Sequence, residues 1–218
     1  MPRRYAPKRR LIRRKRLARR PMRRILRRRP AQPVQLFKRV QYLTGFLSNN
    51  TASDTYGSMT FNLNSVPGAS EFTHLYDQYM IKALKVSFIP RGTTSDLGNP
   101  VALPGYTGQS VGVFSVIDYD DNDNPTSIQQ LCEYQNMKMT RSHQVHSRYF
   151  KPKLLMAGPT TSAGTVIGST MVRKVQWIDC DSVLVPHYGL KYALQQAPNV
   201  AQQFDVKVEY YLAFKNVR

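Results

Sequence analysis

The stretch FDVKVEYYLAF, residues 204–214, repeats with a period of two. Phe204, Val206, Val208, Tyr210, Leu212 and Phe214 fall on one side, with Asp205, Lys207, Glu209, Tyr211 and then Lys215 on the other. Only a backbone that sends successive side chains to opposite faces can bury one such set and solvate the other, so this segment is a β-strand. The same signal recurs upstream. Val34, Leu36, Val40, Tyr42 and Phe46 take even positions with Gln35, Arg39 and Gln41 opposite, which predicts a half-buried strand with an apolar even face. Residues 56–67 read as a strand ended by Pro67-Gly68, and 80–90 as one stopped at Pro90. Residues 110–119 are apolar on both faces, the mark of a central strand. NMKMTRSH (136–143) and HSRYFKPK (146–153) read as two short strands, and 173–182 as one carrying the only Trp.

Helical signals are brief. In 70–79, Phe72, Leu75, Tyr76 and Tyr79 recur at helical spacing behind Ser70 as N-cap. Thr126, with Gln129 three residues on, has the spacing of a capping box and predicts a helix of two or three turns. Residues 92–109 and 158–170 are rich in Gly, Pro and small residues and read as surface loops. About eight strands without long crossover helices predict an all-β fold, a closed or sandwiched antiparallel sheet.

Charge divides the chain at "RRRPAQPVQLFKRV", where Pro30 and Pro33 bracket a short stiff linker. Before it lie Arg3, Arg4, Lys8, Arg9, Arg10, Arg13, Arg14, Lys15, Arg16, Arg19, Arg20, Arg23, Arg24, Arg27, Arg28 and Arg29, 16 cations with no Asp or Glu among residues 1–30. The whole chain has 32 Lys+Arg and 13 Asp+Glu, so residues 31–218 keep 16 basic and 13 acidic groups, a net of +3. Residues 1–33 thus form an arm and linker, and 34–218 one nearly neutral domain. A cationic arm on a neutral body points to a polyanionic partner. Fourteen of the 16 are Arg, whose planar fork matches phosphate, and each neutralised phosphate releases a counterion and adds affinity without sequence preference. These 16 residues are the candidate nucleic-acid-binding set. Leu11, Ala18, Met22, Ile25 and Leu26 sit near one helical face interrupted by Pro21, so the arm is expected to be largely disordered, or partly helical as two short sets of turns formed on contact. A basic run of this kind also serves as a nuclear-import signal. A mitochondrial presequence is disfavoured, because residues 1–30 hold no Ser or Thr.

Reaction chemistry is sparse. No phosphate-binding GxxxxGK[ST] loop, GxSxG elbow or HExxH motif occurs. His143 and His146 lie three apart in a strand or turn without a nearby Cys or carboxylate, so they read as ordinary surface or core histidines. DYDDNDNP (118–125) begins like a calcium loop with Asp118, Asp120 and Asn122, then departs from it at Asp123 and Gln129. With Asp121 it reads as a solvated loop before a helix, and an ion or intersubunit contact is the second reading. Cys132 and Cys180 form no metal or redox spacing and read as two small buried thiols. No cofactor and no enzymatic activity are expected. No run approaches the ~20 apolar residues of a membrane span, no membrane partner is expected, and no apolar signal-peptide core opens the chain.

Several segments resemble the capsid protein of circovirus-like circular single-stranded DNA viruses: HSRYFKPK (146–153), DQYMIKALKVSFIPR (77–91), PHYGLKYALQQ (186–196) and the closing FDVKVEYYLAFKN (204–216), in that family's order and behind a basic arm. The loop at 92–109 and WIDCDSVLVPHYGLK match it loosely. The resemblance implies an eight-stranded antiparallel jelly roll of the viral capsid type, with short helices in its loops. It also implies about sixty identical subunits in an icosahedral shell with the arm inside, a single-stranded DNA genome as partner, residence in the virion and, during assembly, in the host nucleus. A host nuclear import receptor is a further expected partner, whereas no motif identifies a host attachment factor. The competing class is a non-viral nucleic-acid-binding module, ribosomal or chromatin-like, with a basic tail. Its disadvantage is a body of only +3, since such modules usually extend their basic surface onto the fold.

Overall fold

The computed structural model describes residues 33–91, 111–157, 169–171, 176–197 and 201–218. In chain order its elements are β1 (Gln35–Ser48), β2 (Thr55–Phe61), α1 (Ala69–Leu75), β3 (Tyr76–Pro90), β4 (Gly112–Ile117), α2 (Ile128–Cys132), β5 (Lys138–Arg141), β6 (His146–Phe150), β7 (Leu155–Ala157), β8 (Ser169–Met171), β9 (Ile178–Asp179), β10 (His187–Leu194) and β11 (Gln203–Val217), with a 3-10 turn at Leu63–Ser65. Two antiparallel sheets carry the fold, ordered β1-β11-β3-β6 and β2-β10-β4-β5. The short β9 adds to β3, and β7 and β8 pair as a separate ribbon. Taking the eight sheet strands in chain order, the first pairs with the last, the second with the seventh, the third with the sixth and the fourth with the fifth. That nesting is one long antiparallel ribbon rolled into a sandwich, the jelly roll.

The even residues of β11 make the floor of the core. Phe204, Val206, Val208, Tyr210, Leu212 and Phe214 are each at most 1% exposed, and full burial of one large apolar side chain contributes ~1.5–3 kcal/mol. Phe61, Val113, Leu190, Tyr192 and Leu194 close over them from the second sheet. The polar tips are matched: Tyr210 donates to Gln41 Oε1 at 3.1 Å and Tyr79 to the Ser182 carbonyl at 3.0 Å. A smaller cluster of Phe114, Val116, Leu131 and Ala193 lies on the other side of the second sheet, under α2. This explains why β4 is apolar on both faces, as its sequence predicts.

The register of β11 reverses the expectation for β1. Phe37 opposes Leu212, Arg39 opposes Tyr210, Gln41 opposes Val208 and Leu43 opposes Val206. Directly opposed residues share a face, so the odd side of β1 turns inward with Phe37, Leu43 and Leu47. The even set, read from the sequence as the apolar inner face, stands outside. The pairing skips between Leu43 and Leu47, where Gly45 adopts φ +61 and its N–H donates to Asp205 Oδ1 at 2.6 Å. A left-handed residue there is a natural place for glycine.

A second irregularity changes parity within β3. Tyr211 opposes Ala83 and Leu212 opposes Ile81, leaving Lys82 as the extra residue of a bulge. Tyr79 and Ile81 therefore reach the core from odd positions, and Leu84, Val86 and Phe88 from even ones.

Both predicted helices are shorter and differently capped. The first ends at Leu75 and its N-cap is Gly68 at φ 72, not Ser70. Tyr76 and Tyr79 belong to β3, because pairing with Val217 and Phe214 claims their backbone. In α2 the cap is Ser127, whose Oγ accepts from Gln130 N at 3.1 Å, while Gln130 Oε1 accepts from Thr126 N at 2.9 Å. The box expected at Thr126 and Gln129 is thus displaced by one residue and heads a helix of five residues. The strand predicted at 173–182 shrinks among the described residues to Ile178–Asp179, and the end of the small-residue loop at 158–170 enters β8. Cys180 is buried, its thiol pushed up to about 11 chiefly by burial, whereas Cys132 is exposed, contrary to its reading as a buried thiol. The expected loop at 92–109 lies outside the described residues.

His146 ties the two sheets together. It is 1% exposed, and its ring stacks on Phe88 at 5.7 Å. Its Nε2 lies 2.6 Å from Ser115 Oγ on β4, and its Nδ1 2.8 Å from Thr140 Oγ1 on β5. Burial, reinforced by Lys138 and Arg148, lowers its pKa from the ordinary 6.5 to about 4. The unfolded chain therefore binds the proton first as pH falls, so stability declines between pH 6.5 and 4 and levels off below. That window corresponds to a loss of ~3 kcal/mol. His187, also buried and lowered, acts in the same direction. Urea midpoints measured from pH 7 to pH 4 are expected to fall steadily, and His146→Gln is expected to flatten much of that slope while lowering stability at pH 7.

Candidate nucleic-acid interface and assembly surface

The 16 arm cations from Arg3 to Arg29 lie outside the described residues, as do the helical turns expected around Pro21. The described residues of the body carry two surface features on the first sheet. On the outer face of the first sheet, β1, β11, β3 and β6 run side by side. Outward residues there include Lys38 of β1, Lys207, Glu209 and Tyr211 of β11, Lys82 and Lys85 of β3, and Tyr149 of β6, with Lys151 just beyond. The pairing Lys85↔Glu209 and Lys85↔Tyr149 confirms the shared face. A groove of about 380 Å³ opens on this surface, bordered by Leu36, Lys38, Lys82, Tyr149, Lys151 and Tyr211.

One acid sits among these cations. Glu209 is 5% exposed and pairs with Lys38 Nζ at 2.5 Å and Lys207 Nζ at 3.1 Å. Those two hydrogen-bonded ammonium groups outweigh its desolvation and hold its carboxyl down to about 2. Lys38 is raised in turn, first by that hydrogen bond, and its ammonium lies 5.4 Å from the centre of the Tyr211 ring. Tyr149 meets Tyr211 edge to face at 5.9 Å. The sequence displayed the groove's residues as separate positions on four strands. Only the pairing register gathers them, so composition carried no signal for the groove.

The even side of β1 forms a second surface feature. Leu36 is 62% exposed, Val40 42%, Tyr42 52% and Phe46 53%. Lys38 and Thr44 stand between them, and four large exposed apolar side chains along one side of an edge strand are uncommon on a free monomer. Tyr42 keeps its hydroxyl on Asp205 Oδ2 at 2.7 Å.

The acidic cluster is not a solvated loop alone. Lys191, 8% exposed at its side chain, reaches into it, with Nζ 2.9 Å from Asp118 Oδ2 and 2.5 Å from Asp121 Oδ1. Tyr134 donates to Asp118 Oδ2 at 2.8 Å. Burial raises Asp118, but hydrogen bonds from Lys191, the Asp120 N–H and Tyr134 outweigh it and leave the carboxyl below its ordinary value. The cluster thus anchors the loop before α2 to β10. Among the described residues no group of three or more His, Cys, Asp or Glu is arranged to hold a metal, and no helix is long and apolar enough to cross a membrane.

A comparison with curated proteins returns no match. Among solved structures, the 60-mer form of the BFDV capsid protein superimposes with a TM-score of 0.65 at 16% identity, over 85% of this chain and 95% of that one. Its decameric form gives 0.57 at 17% identity, over 84% and 100%. Cucumber Necrosis Virus gives 0.54 at 15% identity, over 85% of this chain and 57% of that one. These are likenesses of fold, and they agree with the eight-strand nesting described above. The model of the circovirus capsid protein matches residues 2–218. A protein of this kind is a structural component of the virion, not an enzyme, and the chain belongs to the circovirus capsid protein family.

Proposed function

We propose that this capsid protein self-assembles into a small icosahedral shell and packages circular single-stranded DNA through the arm of residues 1–33, while residues 34–218 build the wall. The observation that carries the reading is the segregation of charge, with 16 of 32 cations and no acid in residues 1–30, joined to a jelly-roll body of +3. A neutral sandwich with flat flanks suits contact between identical copies, and a phosphate-matching arm suits a polyanion held on one side of that wall. The solved relatives named as a 60-mer and a decamer support repeated self-contact as the use of this fold. With about sixty copies, arms of +16 offset ~960 phosphates, enough to compensate much of a small genome. The same run of Arg and Lys serves as a nuclear localisation signal read by an import receptor, which would bring the subunit to the host nucleus for assembly. The apolar row of β1 is the proposed contact with a neighbouring copy.

Deleting residues 1–30 is expected to leave the body able to form shells but to remove most of the packaged DNA. The absorbance ratio of purified particles and nuclease-protected DNA at physiological salt give the readout, and unchanged packaging would refute the role of the arm. Val40→Asp with Phe46→Asp is expected to keep the far-UV spectrum and monomer stability within about 1 kcal/mol yet abolish particles in negative-stain micrographs. Particles of normal yield would show that this row is not an intersubunit contact.

A further inference from the structure

The groove on the outer face of β1, β11, β3 and β6 is a second, body-borne contact for nucleic acid. We infer that it binds a segment of single-stranded nucleic acid, with backbone phosphates on Lys82, Lys85 and Lys151 and a base against Tyr149. The inference rests on the proposed packaging role and adds to it a site that does not depend on the arm.

Three observations converge. The first is uncompensated charge. Of the five lysines on this face, Lys38 and Lys207 share Glu209, while Lys82, Lys85 and Lys151 make no ion pair among the described residues. Three free ammonium groups beside a doubly paired carboxylate attract a chain of phosphates and repel other cations. The second is aromatic surface. Tyr149 is 59% exposed, and its contact with Tyr211 is edge to face, which leaves at least one face of the Tyr149 ring uncovered by it. A base can stack on such a ring whatever its identity, which suits binding without sequence preference. The third is spacing. The lysines come from β1, β11, β3 and the end of β6, three inter-strand steps that cross the sheet over about 15 Å. That is room for several nucleotides of an extended strand, and a groove of about 380 Å³ at its centre accepts a base.

A second copy of the chain is the rival occupant, and charge argues against it. Among the described residues, six of the carboxylates that could meet these lysines are engaged within their own subunit. Asp118 and Asp121 hold Lys191, Asp77 and Asp181 hold Arg218, Asp205 faces Arg91 and Glu71 faces Arg39. A nucleic-acid backbone supplies a longer and more regular run of negative charge than the short cluster at 118–125, where Lys191 already holds Asp118 and Asp121.

The test uses the full chain with a short oligothymidylate carrying photoreactive thymines, irradiated and mapped by mass spectrometry. Adducts are expected both in the arm and at Tyr149 or Tyr211. The combined substitution Lys82→Gln, Lys85→Gln and Lys151→Gln is expected to cut the body adducts about tenfold while leaving the arm adducts unchanged. Adducts confined to the arm would overturn the groove and leave the packaging role standing. Adducts nowhere would overturn both. Lysine acetylation of wild-type particles freed of nucleic acid decides the rival, because protection of Lys82, Lys85 and Lys151 in that state would assign the face to a neighbouring subunit. If the triple variant fails to fold, the wild-type adduct map and the acetylation pattern still decide.

Discussion

The pairing of β11 between β1 and β3 is the interaction on which the molecule depends. Six of its side chains form one wall of the core, and both neighbouring strands take their register from it. Because side chains alternate with a period of two, fixing one strand's inward set fixes the inward set of each partner. The odd face of β1, the parity change in β3 and the outward row of lysines all follow from that single choice of register. A slip of one residue would turn Lys207 and Glu209 into the apolar core and Val206 and Val208 out of it.

The two sheets meet through more than apolar contact. His146 sits between hydroxyls contributed by β4 and β5 while belonging to β6 in the opposite sheet. A neutral imidazole satisfied on both nitrogens costs little to bury, whereas its protonated form would be a buried charge beside Lys138 and Arg148. Lys191 plays a related part on the outside of the second sheet, where it compensates Asp118 and Asp121 and holds the loop over β10. Polar groups inside the fold are thus placed where strands must be kept in correct relation rather than where a reaction would occur.

The division of labour between arm and body is a division between two physical regimes. Residues 1–30 hold 16 cations and no acids, and in the proposed function they serve as a counterion chain. The body reserves its apolar residues for the sandwich and leaves one apolar row and one cationic groove on its first sheet. In the proposed shell of identical copies, a weak contact of either kind would acquire strength from multiplicity, without any single surface having to bind tightly.

Much of this was written in the sequence. The alternation of residues 204–214, the two-sided apolar β4 and the charge break near Pro30 each depend on neighbours along the chain, and local order along the chain is what a sequence states directly. The resemblance of HSRYFKPK and FDVKVEYYLAFKN added the jelly roll that period alone left as a closed or sandwiched sheet. Other features were not legible, for a common reason. β1 has apolar residues on both sides, so Phe37 and Leu43 could be chosen over Leu36 and Val40 only by the strand beside them. Tyr76 and Tyr79 satisfy a helical spacing until Phe214 and Val217 claim their backbone. The partner that turns Asp118 and Asp121 into an anchor lies 70 residues away from Asp121 in sequence, and the groove joins Lys38, Lys82, Tyr149 and Tyr211 from four strands. The sequence by itself determined which segments are strands and where the charge resides, because those are properties of local periodicity and composition. Only the tertiary structure decided which face of each strand meets water, because register is set by pairing between segments far apart in the chain.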